Sequence, residues 1–153
     1  MKVILLSEGA KVPKRTNDFA AGYDLYIPKD SEVKPGRNLI PLDISIELNP
    51  GTEGQVRPRS GFSIKGIEGV SLENPEVVER FDADIIIGTI DEDFRGVVGV
   101  IIKSYEKAPF IIKQHTKICQ LVISKYESEP FEIAESLSET ERGTQGFGHT
   151  GSK

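Results

Sequence analysis

The chain has 153 residues, 37% of them hydrophobic, which is the length of one domain with enough apolar material for a real core. A net charge of −5 argues against a protein built to grip nucleic-acid backbone, whose usual sign is a basic face that releases counterions, so no stable nucleic-acid binding is expected. One cysteine excludes an intrachain disulfide and a thiolate zinc site, and two histidines leave little for an imidazole site.

In chain order, "MKVILLSEGAKVPKR" carries an apolar run of only four residues, Val3 to Leu6, too short for a secretory signal or a membrane span. With the lone cysteine, this points to a soluble protein of a reducing compartment, cytoplasmic (or nuclear in a eukaryotic cell), with no membrane partner. "AAGYDL" sets Asp24 between small residues and a strand. "PLDISIELNPG" is the clearest strand: Leu42, Ile44, Ile46 and Leu48 alternate with Asp43, Ser45 and Glu47 before Pro50-Gly51 turns the chain. "RPRSGFS" presents Arg59, Ser60 and Gly61 at a turn. "ENPEVVERF" predicts the one helix, short and around residues 74–81, with Asn74 as its cap, Pro75 at the first helical position, and Val77, Val78 and Phe81 on one side.

"IIIGTI" and "VVGVIIKS" are more uniformly apolar, as in strands covered on both faces by a second sheet or a neighbouring subunit. Between them "GTIDEDFRG" presents Asp91 and Asp93 beside Phe94, and further on "KICQLVI" makes Cys119 a small buried hydrophobe. Apolar stretches recur roughly every ten to fifteen residues between Pro-Gly, Asn-Pro-Gly and Lys/Glu-rich breaks, the rhythm of an all-β sandwich or barrel. Near the end, Gly146 to Gly151 matches G-x-G-x-x-G. Only Ser152 and Lys153 follow, so no helix is expected after it, and a dinucleotide site is not expected there.

The polar clusters share a chemistry. Arginine grips phosphate bidentately, a serine hydroxyl and N–H groups at a glycine turn add donors, and carboxylates hold Mg²⁺ through its waters. Taken singly, each cluster is more often an ordinary turn or strand end. Taken in order they say more. Ala21 to Leu25, Pro58 to Gly61, Gly88 to Gly96, Cys119 to Val122 and Arg142 to Gly151 resemble the five motifs of trimeric dUTPases, and the resemblance spans nearly the whole chain.

That resemblance implies a distorted jelly-roll or β-barrel over residues 1–138, with an insert at about 66–84, and a flexible glycine-rich arm over 139–153. It implies a homotrimer whose active sites are each built by three chains, the arm of one reaching over the pocket of another. The implied activity is hydrolysis of dUTP to dUMP and pyrophosphate by Mg²⁺-assisted water attack on the α-phosphate, which limits uracil in DNA and supplies dUMP for thymidylate synthesis. Asp91 would orient and deprotonate the water and bond the 3′-hydroxyl. Phe94, where the family usually has tyrosine, would pack under the deoxyribose and leave no room for a 2′-hydroxyl. Arg59, Ser60 and Gly61 would hold the phosphates, and Gln120 would bond the phosphates or their water. Main chain of the hairpin leading into the third motif, Ile90 included, would read uracil, and Asp24 would hold metal-bound water in an outer shell.

In the arm, Arg142 would take the terminal phosphate, Gly148 and Thr150 would offer amide and hydroxyl donors, and Phe147 would stack on the base. Stacking is worth ~1–3 kcal/mol, while ordering each residue costs roughly 1–2 kcal/mol, so closure is expected only with substrate. Asp93 and Arg95 are expected to form a structural ion pair. His149 stands where the family usually has serine, and His115 where a glycine usually begins the fourth motif. The connection from Gly61 to Gly88 is roughly a dozen residues longer than in common relatives; a helical flap outside the pocket is expected there, and it is the candidate surface for a protein partner. Other readings are a related dNTP pyrophosphatase, a nucleotide-gated regulatory protein of the same fold, and dCTP deaminase, whose catalytic glutamate falls where this chain has Ile101.

Overall fold

The computed structural model describes residues 1–144 and Gly146. Among these, the strands are β1 (Lys2–Leu5), β2 (Gly22–Tyr26), β3 (Ser31–Val33), β4 (Gly36–Pro41), β5 (Ile44–Glu47) and β6 (Thr52–Pro58). After a helix, α1 (Ser60–Lys65), come β7 (Ile67–Ser71), β8 (Val78–Phe81), β9 (Ala83–Ile86), β10 (Gly88–Ile90), β11 (Gly99–Ser104), β12 (Phe110–Ile112) and β13 (Lys117–Lys125). All pairing is antiparallel, in four small sheets of order β1-β5, β10-β6-β13-β2, β4-β11-β9 and β3-β12-β7-β8. The all-β expectation holds.

Alternation decides which side chains the sheets bury. Ile44 and Ile46 of β5 point inward while Ser45 and Glu47 stay half-buried, as the period-two pattern predicts. In β11, Val100, Ile102 and Ser104 are buried, but Gly99, Ile101 and Lys103 are only half-buried, so this "uniform" strand is covered on one face within the chain. Phe110, Ile112, Ile118, Val100 and Ile102 expose nothing. Fully burying such a side chain is worth about 1.5–3 kcal/mol, so this cluster is the main hold on the fold. The "IIIGTI" run is broken into β9 and β10 at an exposed Ile87.

The helix predicted around residues 74–81 does not form. Ser71 to Val77 turn the chain, with Asn74 N–H donating to Ser71 Oγ (3.0 Å) and Val77 N–H to the Asn74 carbonyl (3.2 Å). Residues 78–81 then run back along β7 as β8, pairing Val78 with Val70 and Phe81 with Ile67. Two physical facts favour the strand. A two-turn helix is marginal by itself, whereas the hairpin brings Phe81 onto Phe110 with ring centroids 4.2 Å apart and lets Arg80 pair with Glu68. Residues 67–81 thus form a β-hairpin rather than the expected helical flap. The one helix among the described residues is α1, anchored by buried Phe62 and ended by Gly66, whose φ of 78° only glycine adopts freely.

Candidate active site

Three adjacent strands assemble the first half of the site. In the β6-β13-β2 sheet, Gln120 of β13 lies opposite Arg57 on one side and Asp24 on the other, and Pro58 lies opposite Cys119. Gln120 Nε2 donates to the Pro58 carbonyl at 2.9 Å, which tethers the end of β6 just before Arg59. Gly22 makes room for it: a Cβ there would sit 2.2 Å from Gln120 Oε1. Arg59 occupies the N-cap of α1, and the N–H groups of Ser60 and Gly61 in the first turn are left without an acceptor inside the helix. Both residues are exposed.

Asp24, only 7% exposed, is the hub of this half. Its Oδ2 lies 2.8 Å from Lys117 Nζ and accepts from Thr16 Oγ1 at 3.2 Å, and its Oδ1 lies 3.3 Å from Arg59 Nε. Arg59 also donates through Nη1 to the Lys117 carbonyl at 3.0 Å and places its guanidinium over Phe62. The hydrogen bond to Asp24, and then its charge, raise the pKa of Lys117, so the lysine stays cationic. Burial pushes the Cys119 thiol far up, leaving it an inert hydrophobe, as expected.

The second half is a turn after β10. Ile90 is buried opposite Gly54 of β6, and Asp91 follows it into solvent. Phe94 N–H donates to the Asp91 carbonyl at 3.1 Å, and the Phe94 ring, 41% exposed, folds over Gly96, where a Cβ would meet its Cζ at 2.7 Å. Glu92 ties this turn down from behind, accepting from Gly51 N–H (2.6 Å) and Tyr126 hydroxyl (2.8 Å). Those two bonds hold the Glu92 carboxyl below the usual glutamate range. Arg95 does not pair with Asp93 as expected. Its Nη1 donates instead to the carbonyls of Glu92 (2.7 Å) and Phe94 (2.9 Å), which closes the turn through backbone. An apolar groove runs beside Asp91, lined by Ile90, Phe94, Val97, Leu39, Val56 and Ile101. A wider opening of about 440 Å³ on its other side is ringed by Glu53, Asp91, Glu92, Asp93 and Tyr126.

The two halves do not meet on one chain. Asp91 follows the residue opposite Gly54, whereas Arg59 follows Pro58, and four residues of strand span roughly 13 Å. Arg142 is exposed beyond β13, and Phe147, Gly148 and Thr150 lie outside the described residues. Lys117, Thr16, Glu92 and Tyr126 were missed by sequence reasoning. Lys117, Glu92 and Tyr126 act through partners far off in sequence, and Thr16 through Asp24 eight residues on, contacts that only the folded chain brings together. His115 gains an explanation: its φ is 66°, in the left-handed region where the family's usual glycine costs nothing and histidine is one of the better tolerated substitutes.

The all-β scaffold thus presents a lysine- and arginine-bound aspartate beside one end of β6 and an open carboxylate over an apolar groove beside the other. The sequence model of the dUTPase family matches residues 8–74 and 82–151, passing over the end of the hairpin turn and β8. The chain belongs to the dUTPase family. The deoxyuridine 5′-triphosphate nucleotidohydrolase of Syntrophotalea carbinolica is 40% identical over 154 residues, covering 99% of this chain and 96% of that protein. Among solved structures, a glycine-to-serine mutant of the Staphylococcus bacteriophage 80alpha dUTPase with dUpNHpp superposes with a TM-score of 0.80 at 25% identity, covering 98% and 97% of the two chains. An aspartate-to-asparagine mutant of the dUTPase from phage phi11 of S. aureus, for which coordination of a structural Mg(II) ion is described, shares the fold at a TM-score of 0.73 and 23% identity, covering 88% and 96%.

Proposed function

We propose that this chain is a dUTP diphosphatase that splits dUTP into dUMP and pyrophosphate. The observation that carries the reading is the division of the site: a preassembled cationic cluster at one end of β6 and an exposed carboxylate beside an apolar groove at the other. Arg59, the N–H groups of Ser60 and Gly61, and Gln120 suit the phosphates. The groove under Ile90 and Phe94 suits base and deoxyribose, with the Phe94 ring barring a 2′-hydroxyl. Asp91 suits the task of orienting an attacking water and taking its proton, for which a carboxylate needs only to lie within hydrogen-bond reach. Ile101, in the place of the deaminase glutamate, lines the apolar groove and offers no acid for ammonia release.

Because the halves lie apart on one chain, a complete site needs a second copy beside the first. A homotrimer supplies that, and exposed apolar residues support it: Phe131 and Ile133, beyond β13, are fully exposed at period two, as is most of Leu137. A third copy would bring the arm, with Arg142, Phe147, Gly148 and Thr150, over the closed substrate.

Mg²⁺ fits the donors present. Among the described residues no group of three His, Cys, Asp or Glu side chains converges as a metal cage, which suits an ion held by substrate phosphates that keeps several waters. The Asp24 carboxylate has about four lone-pair sites, of which Lys117 and Thr16 take two on Oδ2, leaving Oδ1 beside Arg59 with room for a metal-bound water. When bound, the ion would neutralise phosphate charge as pyrophosphate departs.

The test is pyrophosphate release with Mg²⁺ from dUTP, dCTP, dTTP and UTP, for the wild type and Asp91→Asn. Release from dUTP alone, abolished by the substitution, is expected. Comparable release from UTP would overturn the role of Phe94, comparable release from dCTP or dTTP would overturn uracil reading by the hairpin, and no release from any would overturn the enzyme.

A further inference from the structure

We infer that Lys117 is a positioning residue of the phosphate cluster: by occupying one oxygen of Asp24 it keeps the guanidinium of Arg59 turned outward to receive a phosphate. This rests on the phosphate-gripping role proposed for Arg59. Lys117 Nζ sits 2.8 Å from Asp24 Oδ2, Asp24 Oδ1 lies 3.3 Å from Arg59 Nε, and Arg59 Nη1 donates to the Lys117 carbonyl at 3.0 Å. The three residues therefore close a ring, in which Lys117 holds Arg59 once through its own backbone and once through Asp24.

The geometry has a chemical consequence. A lone arginine facing a carboxylate forms a two-pronged pair with both oxygens, because the guanidinium fork matches them. Here Lys117 and Thr16 already take Oδ2, and Arg59 stands off from the other oxygen, its Nε 3.3 Å from Oδ1. Of its five N–H donors, one on Nη1 is given to the Lys117 carbonyl, and those on Nη2 remain for a ligand. Without the lysine, both Asp24 oxygens would compete for Arg59 and draw that edge away from the phosphate. Asp24 is only 7% exposed, so water is a poor substitute for the lysine. Asp24 in this arrangement also orients Arg59.

The experiment is titration of the intact protein with inorganic pyrophosphate, in EDTA and in Mg²⁺, for the wild type, Lys117→Met, Lys117→Arg, Arg59→Gln and the double variant Lys117→Met/Arg59→Gln. Lys117→Met is expected to weaken binding about tenfold, equivalent to about 1.4 kcal/mol, in both media. Lys117→Arg restores it to within roughly threefold, and in the Arg59→Gln background Lys117→Met changes nothing, because its effect runs through the arginine. Unchanged binding by Lys117→Met overturns the inference. So does a further loss in the double variant, which would make Lys117 a direct phosphate ligand, and so does a wild type that binds no pyrophosphate. Should Lys117→Met fail to fold, Asp24→Asn in EDTA decides, since no metal-bound water is present to hold; unchanged binding there overturns the inference as well. Pyrophosphate binding by a wild type that releases none from dUTP would instead refute the enzyme and is read separately.

Discussion

The two ends of β6 treat charge in opposite ways. Beside Pro58, Asp24 is nearly buried and bonded by a lysine, an arginine and a threonine, so its geometry is set before any ligand arrives. Beside Gly54, Asp91 and Asp93 stand in solvent, and only their neighbour Glu92 is tied to the rest of the chain. A buried carboxylate must be paired where it is, because leaving it unpaired costs several kcal/mol. An exposed one can wait for a partner surface. The difference teaches where the molecule is preorganised and where it stays open until another copy and a substrate close over it.

The sharpest way to break that comparison is Asp91→Asn. Proton abstraction by a positioned base contributes typically ~10²–10⁴-fold, so kcat for pyrophosphate release should fall by that much. An exposed substitution away from structural features stays within about 0.5 kcal/mol, so the melting curve should not move. A large loss of stability would show that the open end is not open.

Next comes the preorganised end. In Gly22→Ala the new methyl meets Gln120 at 2.2 Å and breaks its bond to the Pro58 carbonyl. Overpacking of this kind costs roughly 1–3 kcal/mol, read by urea denaturation, and pyrophosphate affinity should fall with it because Arg59 follows Pro58. Unchanged affinity would uncouple Gln120 from the phosphate cluster.

A smaller effect sharpens the tether at the open end. In Glu92→Gln the acceptor for Gly51 and Tyr126 is weakened and the Asp91 turn loosens, so kcat should drop roughly three- to tenfold through misplacement. Because the Glu92 carboxyl is held below its ordinary value, chiefly by the Gly51 N–H and then by Tyr126, its stabilising contribution is present above the unfolded pKa of about 4.3. It is lost as pH falls through the lower folded value. The melting temperature of Glu92→Gln should therefore fall less than that of the wild type between about pH 5 and pH 3.

The smallest change is expected at the hairpin tip. Residues 72–77 are exposed, so replacing them with Asn-Gly should alter stability by no more than about 0.5 kcal/mol, with kcat/KM for dUTP unchanged within about twofold. Loss of uracil selectivity in that variant would tie the insert to base reading.

Much of this protein is legible in its sequence. Period-two alternation from Leu42 to Leu48 reports a half-buried strand because successive side chains of a strand must face opposite sides, a property each residue carries locally. The polar clusters around Asp24, Arg59, Asp91, Gln120 and Arg142 are visible because glycine turns and charged residues punctuate the apolar runs. What tertiary structure alone decided is every pairing across strands. "ENPEVVERF" holds too few residues for helical and strand periods to separate, and Phe81 chose the strand by stacking on Phe110, which no local pattern contains. Lys117 and Tyr126 look like ordinary surface residues until register sets them against Asp24 and Glu92. Nothing in a run of letters shows that His115 must take a positive φ, or that Asp91 and Arg59 stand at opposite ends of one strand; both follow from how the chain closes on itself.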